Sequence, residues 1–368
     1  MLNRLFQGLI RRGLVQQLAT RMSTAPANVK EGILLGLGNP LLDITVVSDA
    51  KVLKKYELEA NNAILAEEKH DPLFTELMQE EFKPQYIAGG ATQNSIRVAQ
   101  WLLQKKYATS FIGCVGNDKA AQILKEKAND VGVKVCYMVH PEKMTGLCGA
   151  VITGEDRSLV TKLGAARSIC HSFLETETPQ KLVEAAQVFY VGGFVLTNST
   201  AAVTKLGQHA AENDKLFVMN LSAPFLIDYF VDPELKLMNY IDILVGNEVE
   251  AVTFADKMNF GTKDVKEIAA KTAALPKQNS KRRRTIIFTA GHDPTIVWHE
   301  GNIIEWPINK VNPSDIKDTN GCGDSFIGGF LSQLVQGKSI HECLKCGNYA
   351  AQTVIQHFGC TYPDHPDF

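Results

Sequence analysis

Asp318-Thr319-Asn320-Gly321-Cys322-Gly323-Asp324-Ser325-Phe326 places two glycines and a carboxylate where a loop passes into an apolar run, Phe326, Ile327, Phe330, Leu331 and Leu334. The run has helical spacing, with Gly328-Gly329 as its only weak helix formers, so the loop reads as the N-terminus of a buried helix. Free backbone N–H groups and the positive end of the helix dipole gather there and favour an anion. Glycines let the backbone close on phosphate oxygens, and an Asp just inside the helix can face the group that attacks the phosphate. The chemistry suggested is phosphoryl transfer, with a phosphate cradle and a built-in base. An Asp in a first helical turn is also, more simply, a favourable charge at a dipole.

Far upstream, Ala88-Gly89-Gly90-Ala91-Thr92-Gln93-Asn94 precedes a second helical pattern, with Ile96, Val98, Ala99, Leu102 and Leu103 apolar. D-T-N-G-x-G-D-x-F resembles the second signature of the PfkB carbohydrate and nucleoside kinases, the ribokinase-like family, and the Gly-Gly segment resembles the first. Five further segments are similar to the adenosine kinase branch of that family: Gly38 to Ile44, Gly89 to Trp101, Thr153 to Leu159, Asn220 to Phe225, and Gly246 to Ala251. The similarity runs from about Gly32 to Phe368.

The resemblance implies a division of labour. Asp324 is the base that accepts the proton of a ribose 5′-hydroxyl, and the amides of Gly321, Cys322 and Gly323 form the anion hole. The helix dipole is expected to make Asp324 a weaker base, and the Cys322 thiol beside phosphate is expected to be open to oxidation. Arg157 closes on the phosphates of ATP, the co-substrate, with Asn247, Thr289, Gly291, Gly321 and Gly323 around them. Glu250, in Asn247-Glu248-Val249-Glu250, organises the water shell of Mg²⁺; taken alone that pattern is a helix start. For adenosine, Asp43, Asn94 and the Gly89-Gly90 backbone hold the ribose, while Asn39 and Asn320 address sugar and purine edges. Phe194 stacks on the base, and Leu65, Cys148, Leu159 and Leu163 supply apolar walls. Four positions depart from the adenosine kinase pattern, namely Ala63, Ala91, Thr161 and Arg167. They leave open another nucleoside or a sugar as substrate, or a nucleoside-binding protein without turnover.

Bulk properties narrow the partners. A net charge of −2 argues against a general nucleic-acid surface. Lys281-Arg282-Arg283-Arg284 is the one basic cluster, read as a solvated loop before a strand or as a nuclear-import signal. The eight cysteines are scattered through apolar segments, as reduced thiols of an intracellular protein would be, and Cys343-x-x-Cys346 lacks a second ligand pair for zinc. No stretch of eighteen apolar residues marks a membrane span. Residues 1–30 carry Arg4, Arg11, Arg12, Arg21 and Lys30 without an acidic residue, which fits a mitochondrial presequence, a disordered extension, or upstream sequence skipped by initiation at Met22. The expectation is a monomer in the cytoplasm or nucleus, or in mitochondria if residues 1–21 are translated and act as a presequence.

Strand-like and helical segments alternate from Ile33 onward: Thr109 to Val115, Lys119 to Asn129, Val188 to Val191, Ala201 to Glu212, Leu216 to Asn220, Ile241 to Val245, Glu248 to Ala255, and Thr285 to Thr289. That rhythm predicts an α/β fold with a mainly parallel sheet and helices on both faces, whose ligands bind off the carboxyl ends of the strands. Residues near 41–88 and 134–165 read as short strands without helices, and in a ribokinase-like protein they form a small β-sheet lid. The expected organisation is therefore an extension, 1–30, and one kinase domain, 31–368.

Overall fold

The structure, a computed structural model, describes residues 29–368 apart from 61 and 155. The presequence reading lies outside the described residues. In chain order the strands are β1 (Leu34–Leu37), β2 (Leu41–Val47), β3 (Ala63–Leu65), β4 (Gln85–Gly89), β5 (Thr109–Gly116), β6 (Lys134–His140), β7 (Leu147–Thr153), β8 (Asp156–Lys162), β9 (Val188–Gly192), β10 (Leu216–Asn220), β11 (Ile243–Asn247), β12 (Thr285–Ala290), β13 (Asp293–His299) and β14 (Asn302–Trp306).

Nine of them form one sheet in the order β14-β13-β12-β11-β10-β9-β1-β5-β6. It is parallel from β12 to β6, and only the β13 and β14 edge runs antiparallel. Strand alternation divides its side chains between two cores. Leu35, Leu37, Phe189 and Val191 face the Leu196–Glu212 and Glu248–Lys257 helices, whereas Leu34, Val188 and Tyr190 face the Ala91–Leu103, Cys322–Leu334 and Ile340–Val354 helices. β1, β5 and β9 are buried along their whole lengths, as strands covered on both faces must be.

Gly328-Gly329, weak helix formers in the sequence, have a packing reason. A Cβ on Gly328 would fall 2.6 Å from the Ser95 carbonyl, and one on Gly329 2.4 Å from that of Cys346. The Cys322–Leu334 helix thus nests between its two neighbours at backbone contact, which carries its N-terminus to the start of the Ala91–Leu103 helix.

The second sheet, β3-β8-β7-β2-β4, is mixed and has its own core of Leu42, Ile44, Val46, Phe74, Leu77, Val151 and Val160. Two expectations are corrected here. Residues 41–88 do contain helices, Ala50–Lys55 and Asp71–Leu77, and the second supplies Leu73, Phe74 and Leu77 to cover one face of the small sheet. β6 belongs to the large sheet, where it pairs with β5, because Val135 and Tyr137 pack on the core beneath it.

The basic cluster is a loop before β12 that is solvated only in part, at Lys281 and Arg283. Arg284 is 1% exposed and donates to the carbonyls of Ile241, Thr272, Leu275, Met238 and Pro276. Arg282 pairs with Asp214 and with the buried Asp242, which also takes Lys277. Half of the import-signal pattern is therefore spent inside the fold.

Candidate active site

At the C-terminal edge of the large sheet, Asn220 and Asn247 end β10 and β11, and Thr289 is the penultimate residue of the neighbouring β12. Opposite them lies the start of the Cys322–Leu334 helix. Gly321, at φ +81°, caps that helix in the left-handed region, where a side chain would be strained. A Cβ on Gly323 would meet nothing within 4 Å, so the space beside its Cα is open. A cavity of about 200 Å³ lies between, lined among others by Ser222, Asn247, Glu250, Thr289, Gly323 and Asp324. Phe194 and Ala91 border it as well.

The two distant sequence segments meet at its floor. Asn94 Nδ2 donates to Asp324 Oδ2 at 3.0 Å, and Asn94 Oδ1 is buried without a donor. The amide therefore keeps one buried acceptor without a partner beside Asp324. Burial pushes the Asp324 carboxyl up to about 6, only partly offset by the Asn94 hydrogen bond. The expectation of a base weakened by the helix dipole is thus reversed, since desolvation outweighs it. Asp43 is raised further, to about 7: burial dominates, Arg157 and Arg97 oppose it, and the charge of Asp324 adds to it. Gly89 makes room for Asp43, because a Cβ there would sit 2.3 Å from that carboxylate.

Asn247-x-x-Glu250 is a complete capping box. Asn247 Oδ1 accepts from the Glu250 amide at 2.8 Å, and Glu250 accepts from the Asn247 backbone N–H at 3.0 Å and its Nδ2 at 2.9 Å. The helix-start reading of these residues is real, and it holds a carboxylate raised by burial on the wall of the cavity. The described residues contain no group of three His, Cys, Asp or Glu able to hold an ion by themselves. One carboxylate beside a phosphate cradle suits a hydrated Mg²⁺, which keeps several waters and leans on substrate phosphates.

Other predicted residues are occupied elsewhere in this structure. Arg157, expected on the phosphates, is 9% exposed and paired with Asp318, itself 7% exposed. Asp318 also accepts from Gly359 N at 2.8 Å, Asn320 N at 2.9 Å and Asn320 Nδ2 at 2.8 Å. Asn320 therefore turns its amide into its own loop and not toward a purine or sugar. The Cys322 thiol, pushed up to about 12 by burial and by nearby Asp318, stays protonated, contrary to the expected oxidation-prone spot. Gly291 lies past β12 with φ +57° and open space around it, outside the lining of the cavity.

The apolar wall residues gather on the small sheet. Leu65, Thr161, Leu163 and Arg167 line a separate cavity of about 290 Å³ with Asn198, to which Arg167 Nε donates at 2.6 Å. Leu159 and Cys148 stand on adjacent strands, and Thr161 Oγ1 donates to Cys148 Sγ at 3.4 Å. Leu65 is 67% exposed, and Ala63 at the start of the same edge strand is exposed too. Phe194, 39% exposed, leans on Phe225 at 6.3 Å between ring centroids, and its carbonyl accepts from Asn39 Nδ2 at 3.3 Å.

Sequence reasoning missed the roles of Asp318 and Ser222. Ser222 sits at φ +68° and accepts the Gly193 N–H at 2.8 Å, holding the loop that carries Phe194. Asn220-Leu221-Ser222 stood out as a segment, but nothing in it announced a left-handed serine.

The chain matches the pfkB family of carbohydrate kinases over residues 53–367. It is 47% identical over 340 residues to adenosine kinase 2 of Arabidopsis thaliana, covering 92% of this chain and 98% of that protein. Among solved structures it is similar to the adenosine kinase of Anopheles gambiae in complex with P1,P4-di(adenosine-5) tetraphosphate, with 45% identity, a TM-score of 0.80, and coverage of 92% of this chain and 100% of that one. It is also similar to the adenosine kinase of Schistosoma mansoni in complex with adenosine in an occluded loop conformation, with 34% identity, a TM-score of 0.79, and coverage of 91% and 98%.

Proposed function

The chain belongs to the pfkB family of carbohydrate kinases, and we propose that it transfers the γ-phosphoryl group of ATP to the 5′-hydroxyl of adenosine, giving AMP and ADP. The observation that carries this reading is the 3.0 Å contact of Asn94 with Asp324, which joins a sugar-holding segment to a base at the mouth of a phosphate cradle. The 5′-hydroxyl gives its proton to Asp324 as its oxygen attacks phosphorus, and the Gly321 to Gly323 amides take up the charge of the transferring group. A loose transition state asks mainly for placement and charge neutralisation, and backbone donors at a helix N-terminus supply both, the Cys322 N–H giving up a 3.4 Å bond to the Thr319 carbonyl to do so. A carboxyl raised to about 6 is still ionised at neutral pH and is better matched to a hydroxyl than an ordinary aspartate. Asn94 Oδ1 and Asp43 hold ribose hydroxyls, and Phe194 offers an open ring face to the base.

Mg²⁺ would neutralise the β- and γ-phosphate oxygens, with Glu250 and Asn247 holding its water shell. We take the protein to act as a monomer, a reading tested by sedimentation. A panel of adenosine, other purine nucleosides, ribose and fructose with labelled ATP tests the assignment. Adenosine is expected to turn over fastest, and a free sugar preferred to every nucleoside would overturn it.

A further inference from the structure

Thr92 is 4% exposed in the first turn of the Ala91–Leu103 helix and does not line the cavity. Its position is nonetheless unusual. β1 and β9 are parallel neighbours, and Thr92 lies across their carboxyl ends. Its Oγ1 accepts the Gly192 N–H at 3.1 Å. A Cβ on Gly38 would fall 2.5 Å from Thr92 Oγ1 and 2.6 Å from its Cβ, and one on Gly192 would fall 2.7 Å from Oγ1. β9 therefore ends in glycine, and glycine directly follows β1, where this side chain is wedged between them. One residue beyond Gly38 is Asn39, and two beyond Gly192 is Phe194. The Asn39 Nδ2 bond to the Phe194 carbonyl closes the ring, while Asn39 Oδ1 stays buried with no donor.

We infer that Thr92 is a positioning residue for nucleoside recognition, setting the separation between the orphan acceptor of Asn39 and the ring of Phe194. Its methyl and hydroxyl fix the gap from one side, and the Ser222 bond to Gly193 fixes the loop from the other. The consequence is selective. Loss of the hydroxyl strands a buried N–H at Gly192 and lets the Phe194 loop shift, while Asp324, the anion hole and Glu250 sit on other elements. Nucleoside affinity should suffer, and neither ATP affinity nor turnover should.

The inference rests on adenosine as substrate, so the test separates the two. Thr92→Val, nearly isosteric but without the acceptor, is expected to raise KM for adenosine by roughly tenfold, with kcat and KM for ATP within about twofold of wild type. Thr92→Ser, which keeps Oγ1, is expected to restore KM to within about twofold of wild type. If the valine variant does not fold, Thr92→Ala takes its place in the same assay, since alanine suits a helix. An unchanged adenosine KM in a folded valine or alanine variant overturns the inference, as does a parallel rise in both Michaelis constants or a fall in kcat alone. A wild-type protein inert toward adenosine overturns the parent reading and this one with it.

Discussion

At Asp324 two local influences oppose each other. The helix N-terminus favours the charged carboxylate, and burial disfavours it; burial prevails and lifts the group to about 6. A base works only when ionised, so kcat/KM is expected to fall about tenfold per pH unit below pH 6 and to level off above it. Asp324→Asn is expected to retain the fold and to lower turnover by about 10²–10⁴-fold, measured with saturating substrates. A variant keeping more than about a tenth of wild-type turnover would mean that another group takes the proton. Asp43 carries the same physics into stability. Its folded value of about 7 lies above the ordinary 3.8, so the stability it contributes is complete below pH 4 and is lost as pH rises through 7. Asp43→Asn is therefore expected to melt higher than wild type at pH 8, with the gap closing toward pH 4, while binding nucleoside more weakly. Melting curves at the two pH values check this, and a gap that grew on acidification would reverse the sign.

At the scale of single elements, the start of the Glu248–Lys257 helix serves two purposes with one set of atoms. Asn247→Ala removes the N-cap and is expected to cost about 1 kcal/mol in denaturant unfolding. Glu250→Gln keeps an oxygen for the Asn247 N–H but sets an NH₂ against Asn247 Nδ2, so it is expected to lose about 1 kcal/mol of stability with the helix start retained. It removes the charge facing the cavity, and a higher Mg²⁺ concentration should be needed for half-maximal turnover. A magnesium titration identical to wild type would leave Glu250 as a cap alone. The Cys322–Leu334 helix shows the converse case, in which Gly328-Gly329 give up helix propensity for backbone contact with both neighbours.

For the whole molecule, a buried ion pair ties the small sheet to the loop before the anion hole. Arg157 comes from β8 of the small sheet, Asp318 from the loop before the anion hole, and Gly359 N, from the C-terminal segment, donates to the same carboxylate. Arg157→Ala leaves Asp318 buried with backbone and Asn320 donors only. The expected loss is about 3 kcal/mol, the low end for breaking a buried pair, because those N–H groups remain. Urea unfolding measures it, and a loss below about 1 kcal/mol would show that packing alone holds the sheets together.

The sequence by itself determined most of the individual strands and the two motifs. Strand and helix periodicities are local, and β7 and β10 coincide with the runs Leu147 to Thr153 and Leu216 to Asn220. The Gly-x-Gly-Asp loop was equally legible, since a helix start with glycines and an Asp is written in consecutive residues. Only the tertiary structure decided what each group faces. That Asn94 bonds Asp324, that Arg157 turns to Asp318, and that β6 joins the large sheet are contacts between distant segments, chosen by packing. The proton affinities of Asp43 and Asp324 belong to the same class, because desolvation depends on everything that surrounds a carboxylate and on nothing in its own tripeptide. Thr92 is the sharpest instance: in sequence it is one residue of a helix start, and only the adjacency of β1 and β9 makes it the wedge between Gly38 and Gly192.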